Sequence, residues 1–223
     1  MINQQLLLDL QFSKLSDWRD FYVTKSNSEA VQWLQHFLSI DINILWIYGD
    51  EKSGKSHLGK LWANSVFARG IIKRDLSINS IEELLQENNF FYIDDADLIK
   101  VDEEWFFHFF NYIIYANNPK LKILIMSRKR IVDSCIKLKD LSSRLMTATE
   151  IYINAPDDEL IKKLIWKAFF EYGIRCSDSD INFISSRINR TYVNIFEFID
   201  NIHRLKIESN KPLLKIVKNL LYK

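Results

Sequence analysis

Residues 42–58 read INILWIYGDEKSGKSHL, an apolar run that passes through a glycine-containing loop into a helical pattern. The loop lies between a strand and a helix, which makes credible its match to G-x-x-x-x-G-K-[ST] at Gly49, Gly54, Lys55 and Ser56. Glycines let backbone N–H groups curl around phosphate oxygens at a helix N-terminus. Lys55 would neutralise the β- and γ-phosphates, and the Ser56 hydroxyl would hold Mg²⁺. The stretch predicts a nucleotide site, the alternative being a turn that binds nothing.

Two aspartates end a second apolar run, FFYIDDAD at residues 90–97. A carboxylate at the end of such a strand orients Mg²⁺ or its waters in nucleotide-hydrolysing proteins. Asp94 is predicted to take this metal-binding role, and Asp95 to polarise an attacking water. The alternative for the pair is a solvated cap at the end of the strand.

The composition argues against several classes of protein. The 223 residues are 48% hydrophobic and 26% charged, which is ordinary for one globular domain or one domain with a small appendage. A net charge of +1 gives no overall electrostatic reason to bind nucleic acid. The two cysteines and four histidines form no disulfide framework or metal-ligand spacing, and no apolar run is long enough to span a membrane. We expect a cytoplasmic protein with no membrane contact.

Short apolar runs alternate with helical patterns up to Pro156. This alternation predicts an α/β fold, with a parallel five-stranded sheet flanked by helices. The predicted strands are INILWIYG, GIIKRDL, FFYID, KILIMS and EIYIN. The aromatic residues between Trp105 and Tyr115 are interpreted as the core of a helix packed on the sheet rather than as a ligand pocket.

After Pro156 only helical patterns remain, which predicts a small helical subdomain. Its first helix has acidic residues in the first turn and Gly173 as a C-terminal stop, and Ser177 and Asp180 have the spacing of a capping box. We therefore expect an α/β subdomain over residues 13–155 and a helical lid over residues 156–223.

This order of phosphate loop, acidic strand, further strand and helical lid resembles the AAA+ proteins, and among them the relatives of the replication initiator DnaA. The stretch FYVTKSNSEA matches the pattern of that family at Phe21, Val23, Ser26, Asn27 and Ala30. The resemblance implies that Val23 and Asn27 lie beside the nucleotide base. It also implies that the ligand is ADP or ATP with Mg²⁺.

The resemblance extends to a predicted arginine finger. LKDLSSRL, at residues 138–145, is similar to the family's box that carries the finger, which implies this role for Arg144. Ser127 is the implied first sensor of the γ-phosphate. The three residues that follow it, Arg128–Arg130, would contact DNA or an acidic partner, or form a solvated loop. Val193 stands where the family has a sensor arginine, with Arg190 one turn earlier as a candidate substitute, and this argues against hydrolysis by the chain itself.

The start of the chain resembles a clamp-binding peptide. QLLLDL matches the Q-L-x-L-x-L pattern of Hda-type DnaA-related AAA+ proteins at Gln5, Leu6, Leu8 and Leu10. An extended tail over residues 1–12 could place its glutamine and leucines in a groove on a ring-shaped clamp. The alternative is an N-terminal strand or helix packed on the core. As in the Hda-type proteins, no further helix-turn-helix domain for DNA is expected.

The resemblance implies a regulator of chromosome replication initiation. Its partners would be DnaA and the DNA-loaded sliding clamp, its contact with DNA would be indirect, and a homo-oligomer is left open. Arg144 would stimulate hydrolysis of ATP bound to the initiator. The alternatives are an ATP-hydrolysing helicase or clamp loader, and a non-catalytic adaptor stabilised by nucleotide.

Overall fold

The computed structural model describes residue 18 and residues 21–72, 81–115, 118, 120–208 and 212–221, with only the backbone at residue 82. Strands and helices alternate up to residue 153, and helices alone follow. The strands are β1 (Ile44–Gly49), β2 (Arg69–Gly70), β3 (Phe90–Ile93), β4 (Lys122–Ser127) and β5 (Thr149–Ile153). The helices are α1 (Ser28–His36), α2 (Lys55–Val66), α3 (Ile81–Glu87), α4 (Glu103–Tyr115), α5 (Lys139–Leu145), α6 (Asp158–Glu171), α7 (Asp178–Ser185), α8 (Tyr192–Glu208) and α9 (Leu213–Leu221), with a 3-10 helix at Ala96–Val101.

The five strands form one parallel sheet in the order β2-β3-β4-β1-β5. Side chains alternate along each strand, so each face contributes to a separate apolar cluster. Helices α3, α4 and α5 cover one face, and α1 and α2 cover the other. The predicted five-stranded parallel sheet flanked by helices is therefore confirmed.

Aromatic residues of α4 fill the core on one face of this sheet. Trp105, Phe106, Phe109 and Phe110 are buried and contact one another ring to ring. Burial of each such side chain contributes about 1.5–3 kcal/mol of transfer free energy. This cluster agrees with the interpretation of the aromatic run as core.

The C-terminal helices share an apolar cluster of their own, built largely from isoleucines. The Asp157 carboxylate accepts a hydrogen bond from the Leu160 N–H and so caps α6. Ser177 and Asp180 form the predicted capping box of α7, and Gly173 has a left-handed φ of 64° just after α6. In the described part of the chain, no helix is long and apolar enough to cross a bilayer.

The structure departs from the predicted elements in three places. GIIKRDL does not form the predicted full strand, since β2 covers only Arg69–Gly70 and the run beyond residue 72 lies outside the described residues. Helix α5 and the 3-10 helix were not predicted. Helix α5 has seven residues and the 3-10 helix has six, too few to give a clear periodic pattern of apolar residues.

Candidate functional site

The predicted phosphate loop connects the end of β1 to the start of α2. Gly54 precedes α2 with a φ of 87°, a left-handed conformation that favours glycine. Gly49 lies close to the end of β5, where an added Cβ would be 3.0 Å from the backbone oxygen of Ile153. The two glycines therefore serve different purposes: one turns the chain into the helix, and the other allows a close approach to β5.

The Lys55 ammonium is turned back into the loop. Its Nζ donates hydrogen bonds to the backbone oxygens of Gly49 (2.8 Å) and Asp50 (2.5 Å) and to Ser53 Oγ (3.2 Å). Burial lowers the pKa of Lys55 below its usual value, and the nearby Arg128 guanidinium adds to this effect. The charge of Lys55 therefore lies at the N-terminus of α2, the place where a phosphate group would accept hydrogen bonds.

Strand register brings the second predicted element next to this loop. Tyr48, just before the loop, is level with Ser127 at the end of β4, and Ile93 is level with Ile125 of the same strand. Asp94, which follows Ile93, therefore lies at the same carboxyl edge of the sheet as the phosphate loop. Open parallel sheets bind their ligands at this edge.

The two predicted Mg²⁺ ligands are both accessible. Ser56 is exposed in the first turn of α2, and the Asp94 side chain is 40% exposed. One Asp94 oxygen accepts a hydrogen bond from the Tyr92 hydroxyl (2.6 Å), and the other lies 3.8 Å from Lys60 Nζ. A hydroxyl and a carboxylate fit Mg²⁺, which takes one or two protein oxygens together with substrate phosphates. Among the described residues, no group of three or more His, Cys, Asp or Glu side chains could hold a metal alone.

The side chains of Asp95 and Ser127 both make local backbone contacts. Asp95 caps the 3-10 helix, since its Oδ1 accepts a hydrogen bond from the Asp97 N–H (2.9 Å). Ser127 is buried, and its Oγ accepts from the Lys129 N–H (3.0 Å). The buried Trp46 donates its ring N–H to the Lys129 carbonyl (3.0 Å), which fixes the loop after β4. The cap at Asp95 is compatible with the simpler alternative for that residue, and its predicted role with water stays a prediction.

The segment before α1 is organised by Asn27. Its side chain accepts from the Thr24 N–H (2.8 Å) and donates to the Tyr22 carbonyl (2.9 Å), so the buried amide is engaged within the segment. Val23 is 46% exposed. The Phe21 ring lies beside the phosphate loop, 3.5 Å from where a Cβ on Gly54 would be. The segment therefore borders the loop, with Asn27 shaping it and Val23 free to contact a ligand.

The predicted finger, Arg144, lies in the last turn of α5. Its guanidinium is 4.7 Å from the ring centroid of the exposed Tyr115, close enough for a cation–π contact. The start of α5 is held by Glu103 of α4, whose carboxylate accepts from the N–H groups of Lys137 and Leu138. The position of Arg144 thus depends on a contact between α4 and α5.

Two other arginines from the sequence analysis, Arg128 and Arg190, form ion pairs within the chain. Arg128 pairs with Glu51 of the phosphate loop (3.3 Å). Its side chain therefore lies beside the candidate site. Arg190 pairs with Asp158 at the start of α6 (2.8 Å). Val193 lies in the first turn of α8 and is half-buried.

Two features of the site were missed from the sequence. Gly59 lies inside α2, and Tyr92 lies two residues before Asp94 on the same face of β3. A glycine within a helical pattern is unusual. Gly59 was therefore the signal in the sequence that could have indicated a close packing contact at this helix. The predicted clamp-binding residues, Gln5, Leu6, Leu8 and Leu10, lie outside the described residues.

No protein-family model matches the sequence. An uncharacterized protein of Haemophilus influenzae is 29% identical over 190 residues, which cover 78% of this chain and 81% of that protein. An identity of 29% shows that the two sequences are similar, but it does not assign this chain to a family.

Solved structures share the fold at low sequence identity. Domain III of the Thermotoga maritima replication initiation protein DnaA matches with a TM-score of 0.71 at 18% identity, covering 93% of this chain and 98% of that one. AMPPCP-bound DnaA from Aquifex aeolicus matches at 0.64 and 20% identity, covering 82% and 63%. The Thermotoga maritima RuvB Holliday junction branch migration motor matches at 0.64 and 11% identity, covering 92% and 71%. The chain therefore has a DnaA-like AAA+ P-loop fold.

Proposed function

We propose that this chain is a DnaA-related AAA+ regulator of replication initiation. It binds ADP or ATP with Mg²⁺, attaches to the sliding clamp through residues 5–10, and supplies Arg144 to ATP held by DnaA. Three units divide this work: a tail over residues 1–12, a nucleotide-binding subdomain over 13–155 and a helical lid over 156–223. Contact with DNA is indirect, through the clamp and the initiator.

The proposal of nucleotide binding is supported by one observation, the orientation of Lys55 at the start of α2. Its ammonium donates to two backbone carbonyls of the loop. A phosphate oxygen accepts the same hydrogen bonds with a full negative charge, so phosphate can replace these carbonyls as the stronger acceptor. Ser56 and Asp94 would hold Mg²⁺, which neutralises phosphate charge when bound. The DnaA structure from Aquifex aeolicus holds AMPPCP, an ATP analogue, in the same fold.

The proposed trans role of Arg144 is supported by the residue at position 193 and by the placement of Arg144 on α5. Val193 supplies no charge at the position where the resemblance implies a sensor arginine, and Arg190 is paired with Asp158. The chain's own site therefore lacks, at position 193, the charge that a sensor arginine would add to that of Lys55. Arg144 is half-buried on α5, and its guanidinium lies over the exposed ring of Tyr115, from where it would reach a neighbouring molecule. Arginine fingers of this kind are worth about 10³ to 10⁵ in rate.

Clamp attachment rests on the sequence of residues 5–10. A tether to the clamp raises the local concentration of this chain near DNA-bound initiator to roughly millimolar if the linkage is short. A weak contact with DnaA would then suffice for stimulation. Replacing Gln5 and Leu8 with alanine should abolish clamp binding while nucleotide binding remains.

The test of this function is a phosphate-release assay. ATP-loaded DnaA is mixed with clamp on DNA, and hydrolysis is followed with wild-type protein, with Arg144→Ala and with Arg187→Ala. Arg187 is a matched control because its guanidinium also lies over an aromatic ring, 4.1 Å from the centroid of Phe183. Stimulation by wild type and by Arg187→Ala, lost only in Arg144→Ala, is the expected result. An absence of stimulation by wild type would overturn the proposal, and ATP turnover by the isolated chain would instead favour a loader.

A further inference from the structure

Tyr92 makes the most direct side-chain contact with the predicted metal ligand. It lies two residues before Asp94 in β3, on the same face of the strand, and is 7% exposed. Its hydroxyl donates a hydrogen bond of 2.6 Å to Asp94 Oδ1. The phenol is therefore a direct hydrogen-bond donor to this carboxylate.

Gly59 makes room for this tyrosine in the helix that follows the phosphate loop. A Cβ at Gly59 would lie 2.5 Å from Tyr92 Cε2, 2.6 Å from its hydroxyl oxygen and 2.8 Å from Met126 Cε. Such distances cannot be tolerated without moving the ring. A glycine inside a helix is destabilising relative to alanine, so its presence in α2 needs a reason, and the Tyr92 ring provides one.

The contact also determines which way the Asp94 carboxylate is turned. With Oδ1 held by Tyr92, Oδ2 is the oxygen left for other partners, and its neighbour at 3.8 Å is the Lys60 ammonium. Lys60 is 64% exposed, so this pair is solvated and easily displaced. Without the phenol, the carboxylate could rotate toward Lys60 or solvent and would no longer present a fixed oxygen.

We propose that Tyr92 is a positioning residue that fixes the Asp94 carboxylate for a Mg²⁺–nucleotide complex. The absence of a side chain at Gly59 leaves the space that the Tyr92 ring occupies. This inference rests on the proposed nucleotide binding. It assigns to Tyr92 and Gly59 the dependence of nucleotide affinity on Mg²⁺. Groups that orient a metal ligand typically contribute about 10-fold or more to metal affinity.

Calorimetry with AMPPCP tests the role of the hydroxyl. Nucleotide affinity is measured in saturating Mg²⁺ and in EDTA, and the ratio gives the gain in affinity due to the metal. We expect Tyr92→Phe to reduce this gain about tenfold while leaving the affinity in EDTA unchanged. Tyr112→Phe, which removes the same hydroxyl from an α4 side chain that is 40% exposed, should leave both affinities unchanged. Equal weakening in Mg²⁺ and in EDTA, or an unchanged gain, would overturn the inference.

Urea unfolding of the nucleotide-free protein tests the role of Gly59. Glycine to alanine inside a helix ordinarily stabilises, but Gly59→Ala should destabilise because the new methyl group overlaps the Tyr92 ring. The double variant Gly59→Ala/Tyr92→Leu should recover stability, yet its Mg²⁺-dependent gain should remain lost. Stabilisation by Gly59→Ala alone would contradict the pairing. If wild type binds no AMPPCP in either condition, the proposed function fails together with the inference, whereas normal Mg²⁺-dependent binding by Tyr92→Phe overturns the inference alone.

Discussion

Replacing Glu103 with alanine tests how the helix that carries Arg144 is held. The Glu103 carboxylate accepts hydrogen bonds from the N–H groups of Lys137 (3.0 Å) and Leu138 (2.6 Å), and Leu138 has no side-chain cap to offer α5 itself. A hydrogen bond to a charged group contributes roughly 1.5–3 kcal/mol, and loss of a helix cap costs about 1 kcal/mol. Because Glu103 is only half-buried, we expect the free energy of unfolding to fall by about 2 kcal/mol, near the lower end of that range.

Glu104 provides the matched control for this change. It is the next residue, lies in the same first turn of α4 and is exposed, so Glu104→Ala removes the same charge near the same helix N-terminus. We expect this control to change the free energy of unfolding by less than about 0.5 kcal/mol. In urea unfolding with a slope of about 3 kcal/mol/M, Glu103→Ala should shift the midpoint by roughly 0.7 M. Equal midpoints for the two variants would refute the reasoning.

Two further substitutions test contacts that hold the fold around the site. Asp157→Ala removes a carboxylate that accepts from the N–H groups of Leu160 (2.8 Å) and Ser26 (3.1 Å), and should cost about 1–2 kcal/mol in urea unfolding at neutral pH. Burial alone would raise the pKa of Asp157, but hydrogen bonds from backbone N–H groups and from the Thr24 side chain outweigh burial and hold the pKa below its usual value. The advantage of wild type is therefore present above about pH 4 and shrinks as the pH falls further. A constant difference down to about pH 2.5 would contradict this reasoning. Lys122→Met should lower stability by about 2 kcal/mol, because the lysine is 1% exposed and donates to two backbone carbonyls at 2.7 and 2.8 Å that methionine would leave unpaired. A melting temperature equal to that of wild type would show that those carbonyls find other partners.

The buried strands could be predicted because both of their faces are covered. KILIMS was predicted as a strand and is β4, Lys122–Ser127, with every residue buried. A strand that is buried on both faces has apolar residues at successive positions. Such a run can be detected without knowing which strands lie beside it. The phosphate loop could be predicted for a similar reason, since its glycines and lysine lie within seven consecutive residues.

The contacts that orient the site could not be predicted in this way. Helix α5 is only seven residues long, and its start is capped by Glu103, which lies more than thirty residues earlier in the chain. The contact between Tyr92 and Gly59 joins a strand to a helix across the sheet face, and neither residue identifies the other by local spacing. The cap from Glu103 and the contact between Tyr92 and Gly59 both depend on tertiary packing. The periodicity of apolar residues in a short window of sequence does not predict such contacts.

Nucleotide binding at the phosphate loop is the central claim of the proposed function and the premise of the inference about Tyr92, and equilibrium binding tests it most directly. The measurement is calorimetric titration of AMPPCP with Mg²⁺ into wild-type protein, Lys55→Ala and, as a control, Lys218→Ala on the exposed face of α9. Loss of a charged hydrogen-bond donor should weaken binding by roughly tenfold to a hundredfold in Lys55→Ala, with no change in Lys218→Ala. Absence of binding by wild type, or equal affinity of wild type and Lys55→Ala, would contradict nucleotide binding at this site.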